Sequence, residues 1–262
     1  MTTTQAQQAE APAYDPQHYA NLIRVEDRHF WFKARNHAIT TMFGQIKQHL
    51  EPGYKVLEVG CGTGNVLRAL QRSASGGTVI GMDLHQEGLR YAQRRVDPAL
   101  LVVGDAAHPP FDVKFQVVGA FDVIEHIDDD VGVLRQLREI LGARGMLLLT
   151  VPADPKLWSY FDVAANHRRR YVAKELEAKL VAAGFSIEYL TYYMALLHPL
   201  VWAGRRFAGW RYANSESLEA DLRVRPVSGA VLGFLLDQEI RLLKRRRRLP
   251  IGTSLLAIAR RS

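Results

Sequence analysis

A glycine-rich loop, two later acids and two histidines carry the chemistry this sequence could do. Glu58-Val59-Gly60-Cys61-Gly62-Thr63-Gly64 joins a short β-rich run to a helical stretch that begins at Asn65. Glycines at such a junction let the chain turn tightly and let a ligand approach a helix N-terminus. The loop alone also suits a dinucleotide fingerprint or plain tight packing. Asp83 ends the next β-rich run, roughly 20 residues beyond the glycines, where a carboxylate can accept hydrogen bonds from both hydroxyls of a ribose. Asp105, in Val103-Gly104-Asp105-Ala106, ends the third run and can accept the exocyclic amine of an adenine. The fourth run delivers Phe121-Asp122-Val123-Ile124-Glu125-His126-Ile127 to the same edge.

These positions converge only if the right elements hold them. From Tyr14 to Leu50 apolar residues recur at helical spacing until Glu51-Pro52-Gly53, which predicts two leading helices. Short β-rich runs then alternate with helical stretches: Lys55–Val59, Thr78–Asp83, Leu100–Gly104, Phe115–Phe121 and Met146–Val151. Such alternation means a parallel sheet with helices on both faces, and ligands of such sheets bind outside the carboxyl ends of the strands. Asp128-Asp129-Asp130 can cap a helix that continues through Leu141 to Gly142. Phe185–Tyr192 alternates like a half-exposed strand, and Ser254–Ala259 reads as a final short one. The roughly 60 residues between them exceed a simple connection and suggest an inserted helical cap. The expected divisions are a disordered tail over 1–13, leading helices over 14–53, a core over 54–192, the cap over 193–250 and a last strand over 251–262.

With these residues in place, the chain resembles class I S-adenosylmethionine-dependent methyltransferases, particularly the branch around ubiquinone-biosynthesis O-methyltransferases. The resemblance rests on Val56 to Gly64, on Asp83 and Asp105, and on Ile124-Glu125-His126-Ile127. It covers Lys55 to Val151 well and the ends loosely. It implies an α/β fold, a Rossmann-like three-layer sandwich: a mostly parallel seven-stranded sheet with an antiparallel C-terminal strand, N-terminal lid helices and a helical insertion before the last strand. It implies S-adenosyl-L-methionine as cofactor, with S-adenosyl-L-homocysteine as its product. By the same resemblance Gly60, Gly62 and Gly64 wrap the methionine part, Asp83 holds the ribose, Leu84 packs on the adenine, and Asp105 with Ala106 meets its edge. Glu58, Cys61 and Phe121 join the cofactor's surroundings. His29-Phe30-Trp31-Phe32-Lys33-Ala34-Arg35 resembles a segment that folds over the cofactor as a lid, with Arg35 available to the methionine carboxylate.

A hydroxyl acceptor must lose its proton, and an imidazole with a reference pKa of about 6.5 suits that task. His126 is expected at the mouth of the fourth strand and His167 in the loop after the fifth; each could instead only order its loop. Arg168, Arg169 and Arg170 could pair with a phosphate or carboxylate, or form a solvated turn. No metal is expected: Cys61, the single cysteine, can build neither a cysteine metal site nor an internal disulfide, and nothing demands an oxidising compartment.

The net charge of +7 points to an anionic neighbour without choosing one. Arg205, Arg206 and Arg211 flank Trp202, Phe207 and Trp210, and Lys244 to Arg248 is a continuous basic run. That mixture suits peripheral contact with an anionic membrane and a small or lipid-like acceptor. The expected location is cytoplasmic, at the inner face of a membrane if the contact forms. Nucleic acid is disfavoured, since no RNA-binding module is recognisable. An NAD-dependent oxidoreductase is the rival enzyme, but its fingerprint wants a glycine where Asn65 stands. A cofactor-binding protein without catalysis would keep the same loop and acids.

Overall fold

The computed structural model describes residues 16–208 and 226–262. The expected tail over 1–13, Trp210, Arg211 and the side chains of Arg205, Arg206 and Phe207 fall outside what is described. Seven strands form one sheet: β1 (Tyr54–Val59), β2 (Gly77–Asp83), β3 (Leu101–Val103), β4 (Phe115–Phe121), β5 (Leu141–Pro152), β6 (Phe185–Tyr193) and β7 (Ser254–Arg261). Their order is β3-β2-β1-β4-β5-β7-β6. The first five pair in parallel, and β7 runs antiparallel to both β5 and β6. Strand order reverses between β1 and β4, which opens a crevice at their carboxyl ends. A β7 slotted between β5 and β6 also departs from the 3-2-1-4-5-6 order of dinucleotide-binding sheets.

Successive strand residues point to opposite faces, so neighbouring apolar residues build two cores. Val56, Val117, Leu148 and Ile258 face one side; Leu57, Val118, Leu147 and Ala257 face the other. The second face is covered by Leu134 and Leu137 of α5 (Asp130–Ile140) and Leu176 and Leu180 of α7 (Ala173–Ala182). The first is covered by α2 (Phe30–Lys47) and by α3 (Asn65–Ser73). Both leading helices appear, α1 (Pro16–Val25) and α2, but they differ in role. Ala38, Ile39, Met42, Phe43 and Ile46 of α2 are buried in the sheet's core, so only its first two turns reach the crevice.

The long segment between β6 and β7 divides similarly. α8 (His198–Ala208) stands beside the crevice, whereas the next described helix, α9 (Pro226–Lys244), sends Leu236, Ile240 and Leu243 into the same core as α2. Each such side chain removed from water contributes about 1.5–3 kcal/mol. The helix after Asp129 ends at Ile140 rather than Gly142, because Leu141 turns extended and pairs with Phe115 as the start of β5.

Asp130 ties α5 to the loop before α7. Its carboxylate, almost fully buried, accepts from Arg169 at 2.8 Å, from the Tyr171 hydroxyl at 2.8 Å and from Lys179 at 2.9 Å. Burial opposes ionisation, but hydrogen bonds from Lys179, Tyr171 and Arg169 outweigh it and hold the carboxyl below its ordinary range. Its stabilisation is therefore complete above the unfolded-state pKa and is lost as pH falls through the depressed folded value. Asp130→Asn leaves three donors without their anion and is expected to cost about 3 kcal/mol, read as a lower midpoint in urea denaturation.

Candidate active site

The β1–α3 loop needs glycine at two points for different reasons. Gly60 has φ +70°, and a Cβ there would lie 2.5 Å from Val123 Cγ2, so β4's exit packs directly on the turn. Gly64 has φ +77°, and its Cβ would meet Ala92 Cβ of α4 (Gln86–Ala92) at 3.0 Å. Gly60, Cys61 and Gly62 line the crevice; Gly64 does not, and works from behind by letting α3 start against α4.

Asp83 is held at the end of β2 with its carboxylate turned to the loop. One oxygen accepts the Gly62 N–H at 2.7 Å and the other the His85 N–H at 2.8 Å. Burial raises its pKa, and those two backbone donors oppose the rise. Each oxygen keeps a lone pair for a second donor. Glu58, two residues before Gly60, is buried and lines the same crevice; its Oε2 has no partner among the described residues. Burial pushes its carboxyl well up, with Arg35 opposing and Asp83 adding to the rise. Leu84 is 58% exposed, while Ala106 is buried and Asp105 is exposed with one oxygen accepting the Ala107 N–H at 2.8 Å. Phe121 closes the floor at the end of β4. Cys61 is buried and its thiol pushed well up by that burial, which leaves it an inert packing residue.

The first helix is latched over this loop. Buried Glu26 accepts from the Thr63 hydroxyl at 2.6 Å and pairs with Arg95, whose other nitrogen reaches Asp27 at 3.1 Å. Asp27 also accepts from Asn65 at 3.0 Å. In the second turn of α2, the Arg35 guanidinium lies over Trp31 at 5.1 Å and Phe32 at 5.3 Å and donates to Asp122 Oδ2 at 3.0 Å. Asp122 sits at φ +57°, uncommon for a non-glycine residue, directly after β4. Arg35 Nε is buried without a partner among the described residues, so the side chain retains a donor at the crevice.

The same crevice, about 1380 Å³ in all, also gathers the two histidines. The His126 and His167 rings meet edge to face at 4.9 Å. Burial first, and the neighbouring His167 second, lower the His126 pKa to about 4. His167 Nδ1 lies 3.0 Å from Oδ1 of fully buried Asp162, which also accepts from Arg170 Nε at 2.7 Å. Asp162 belongs to a capping box with Ser159 that starts α6 (Tyr160–Ala164). Glu125 is fully buried beside the pair, and burial pushes its carboxyl well up, with Asp122 adding and Arg170 and Arg35 opposing. The three arginines expected to recognise an anion are engaged internally: Arg169 on Asp130, Arg170 on Asp162, and Arg168 within 3.6 Å of Asp128.

Sequence reasoning missed Asp122 and Asp162. Asp122 carried no signal beyond its place after β4, and Asp162 is visible only as a residue three after a capping serine.

Loop, acids and sheet edge together define a Rossmann-like nucleotide-cofactor site of the methyltransferase type. The sequence matches the family described as "Methyltransferase domain" over residues 25–190, more than half of its length. The chain belongs to that family and is an S-adenosylmethionine-dependent methyltransferase. It is 27% identical to the ubiquinone biosynthesis O-methyltransferase of Idiomarina loihiensis over 187 residues, covering 66% of this chain and 75% of that one. It is 33% identical to the demethylmenaquinone methyltransferase of Thermotoga maritima over 115 residues, 41% of this chain and 50% of that one. Among solved structures, a Haloferax volcanii complex of the Trm112 methyltransferase activator and a putative methyltransferase aligns with TM-score 0.61 at 18% identity, covering 96% and 99% of the two chains. The Haemonchus contortus phosphoethanolamine N-methyltransferase 2, in complex with S-adenosyl-L-methionine, gives 0.62 at 19%, covering 95% of this chain and 58% of that one. At such identities the structures establish the shared fold.

Asp83→Ala removes the carboxylate expected to accept from ribose hydroxyls and loosens Gly62. Calorimetric titration with S-adenosyl-L-homocysteine is expected to show binding weakened about 10- to 100-fold, as for lost hydrogen bonds to a charged group. An unchanged Kd would remove Asp83 from the cofactor site.

Proposed function

We propose that the enzyme methylates an oxygen of a small or lipid-like acceptor, and that His126 and His167 activate that acceptor. The observation that carries this reading is the histidine pair in the crevice, which Asp122, Glu125 and the glycine loop also line. When bound, S-adenosylmethionine supplies an electrophilic methyl group on a sulfonium. The residues present fit it: Asp83, a carboxylate with lone pairs left for further donors, and Glu58, whose buried Oε2 has no partner among the described residues. The proposed division of labour is as follows: Gly60 to Gly62 and Glu58 hold the amino-acid part, Arg35 Nε offers a donor to its carboxylate, and Asp83, Leu84, Asp105 and Ala106 take the nucleoside. With α1 latched through Glu26, water is kept from the reacting centre, and the acceptor is held in line, which is most of what such a displacement requires. With that group bound, the acceptor oxygen would take the methyl group, its proton would be drawn off at the histidine cluster, and the thioether product would leave.

The acceptor's proposed apolar character rests on the arm of the crevice lined by Trp31, Trp158, Phe161, Leu197, Leu200 and Val201. Trp202, Leu200 and Phe234 are exposed, and the basic run Lys244–Arg248 is exposed at the end of α9. No described helix is long and apolar enough to cross a membrane. Peripheral contact with an anionic bilayer would present a lipid-like acceptor to that arm.

His167→Ala is expected to lower kcat by about 10²- to 10⁴-fold, with S-adenosyl-L-homocysteine affinity within threefold of wild type. The assay compares catechol, amine and carbon-acid acceptors by mass spectrometry; methylation confined to amine or carbon acceptors sinks the oxygen assignment. In a separate flotation experiment at physiological salt, the protein is expected to rise with phosphatidylglycerol vesicles and not with phosphatidylcholine alone. Absence from both fractions rejects the membrane contact.

A further inference from the structure

We propose that Glu125, His126 and His167 form a site for one divalent transition metal ion of the zinc class. The three residues come from two segments, the short turn after β4 and the loop before α7, and one ligand atom from each lies within 4.8 Å of the others. Four-coordinate zinc holds its nitrogen and oxygen ligands at about 2.0–2.2 Å, hence about 3.4 Å apart. Closing the difference takes about an ångström of side-chain adjustment.

Three features argue for a cation here. The first is Glu125: it is 0% exposed, and neither carboxylate oxygen has a hydrogen-bond partner among the described residues. A buried carboxylate without a hydrogen-bonded partner is costly, and the neighbouring arginines offset that only through space, being bonded elsewhere, Arg35 to Asp122 and Arg170 to Asp162 and the Ala153 carbonyl. The second is His167: Asp162 holds its Nδ1, which leaves Nε2 as the free nitrogen. A buried carboxylate behind an imidazole is the arrangement that orients metal-ligating histidines and raises their basicity. Arg170 in turn fixes Asp162. The third is the donor set, two imidazoles and one carboxylate, which suits zinc over magnesium or calcium, whose sites are built from oxygen.

All three residues line the crevice, so a fourth position would open toward the acceptor arm. Three protein ligands with one open position is the pattern of catalytic rather than structural zinc. This role rests on the methyltransferase reading. An acceptor hydroxyl at the open position would be acidified by the ion's charge and would release its proton to water before its oxygen attacks. The histidines would then activate the acceptor through the ion. The site departs from the sequence-based expectation of no metal.

The test is calorimetric titration of chelator-stripped, untagged protein with zinc chloride, paired with cobalt(II) titration followed by visible absorption. Wild type is expected to bind one equivalent of zinc and to develop cobalt d–d bands. Glu125→Gln and His167→Ala should each weaken zinc at least about tenfold and abolish the bands, and Asp162→Asn should weaken it about 10- to 100-fold. His49→Ala, which alters an exposed histidine beyond α2, should bind as wild type does. Circular dichroism of each variant checks that the fold persists. No stoichiometric zinc, or zinc binding unchanged in both Glu125→Gln and His167→Ala, overturns the site. Each metal-free sample is also titrated with S-adenosyl-L-homocysteine. Retained binding there alongside absent zinc overturns the metal and leaves the methyltransferase standing, whereas loss of both would strike the cofactor reading itself.

Discussion

The hold of the Asp83 carboxylate on the Gly62 and His85 N–H groups is the constraint on which the rest of the site depends. It joins the end of β2 to the turn after β1, and so sets how far the glycine loop stands from the sheet edge. Gly60 then rests on Val123, which follows β4, so three strands share one junction where the strand order reverses. A side chain at Gly60, or a slip of β1 against β4, would disturb the cofactor loop and the acceptor-side turn together.

Charge in the crevice is arranged around buried acids. Glu58, Asp83 and Glu125 are all raised by burial, and cations stand near but are bound to other partners. Arg35 neutralises Asp122 while lying across two aromatic rings, and Arg170 serves Asp162. Buried carboxylates without full pairing are a cost that a folded protein carries where a ligand is to be recognised. Here Glu58 stands beside the glycine loop and Glu125 beside the histidines, with Arg35 acting on both.

The helices outside the core sheet divide into scaffold and cover. α2 and α9 pack against each other and against one sheet face through Phe43, Ile39, Leu236 and Ile240. Their burial gives α1 and α8 a firm base from which to border the crevice. The turn that ends α1 contributes a polar latch through Glu26 and Asp27, whereas α8 contributes apolar side chains, Leu200 and Val201. The crevice is therefore bordered by covers of different chemistry, polar on one side and apolar on the other.

The sequence by itself determined the alternation of strands and helices, the glycine loop, and the acids closing β2 and β3, because these are local: period, turn chemistry and spacing from the loop are written within short windows. It also determined the fold class through those same residues. It could not decide that Gly64 serves packing behind the loop, that Leu141 begins a strand by pairing with Phe115, or that α9 belongs to the core, since each depends on a partner distant in the chain. The acceptor side was hidden for the same reason. His126 and His167 were legible as residues, but Asp162 behind one and the unpartnered Glu125 beside both exist only once the turn after β4 meets the loop after β5. Local propensity fixes what each segment becomes, and only long-range packing fixes which side chains share a dielectric and a neighbour.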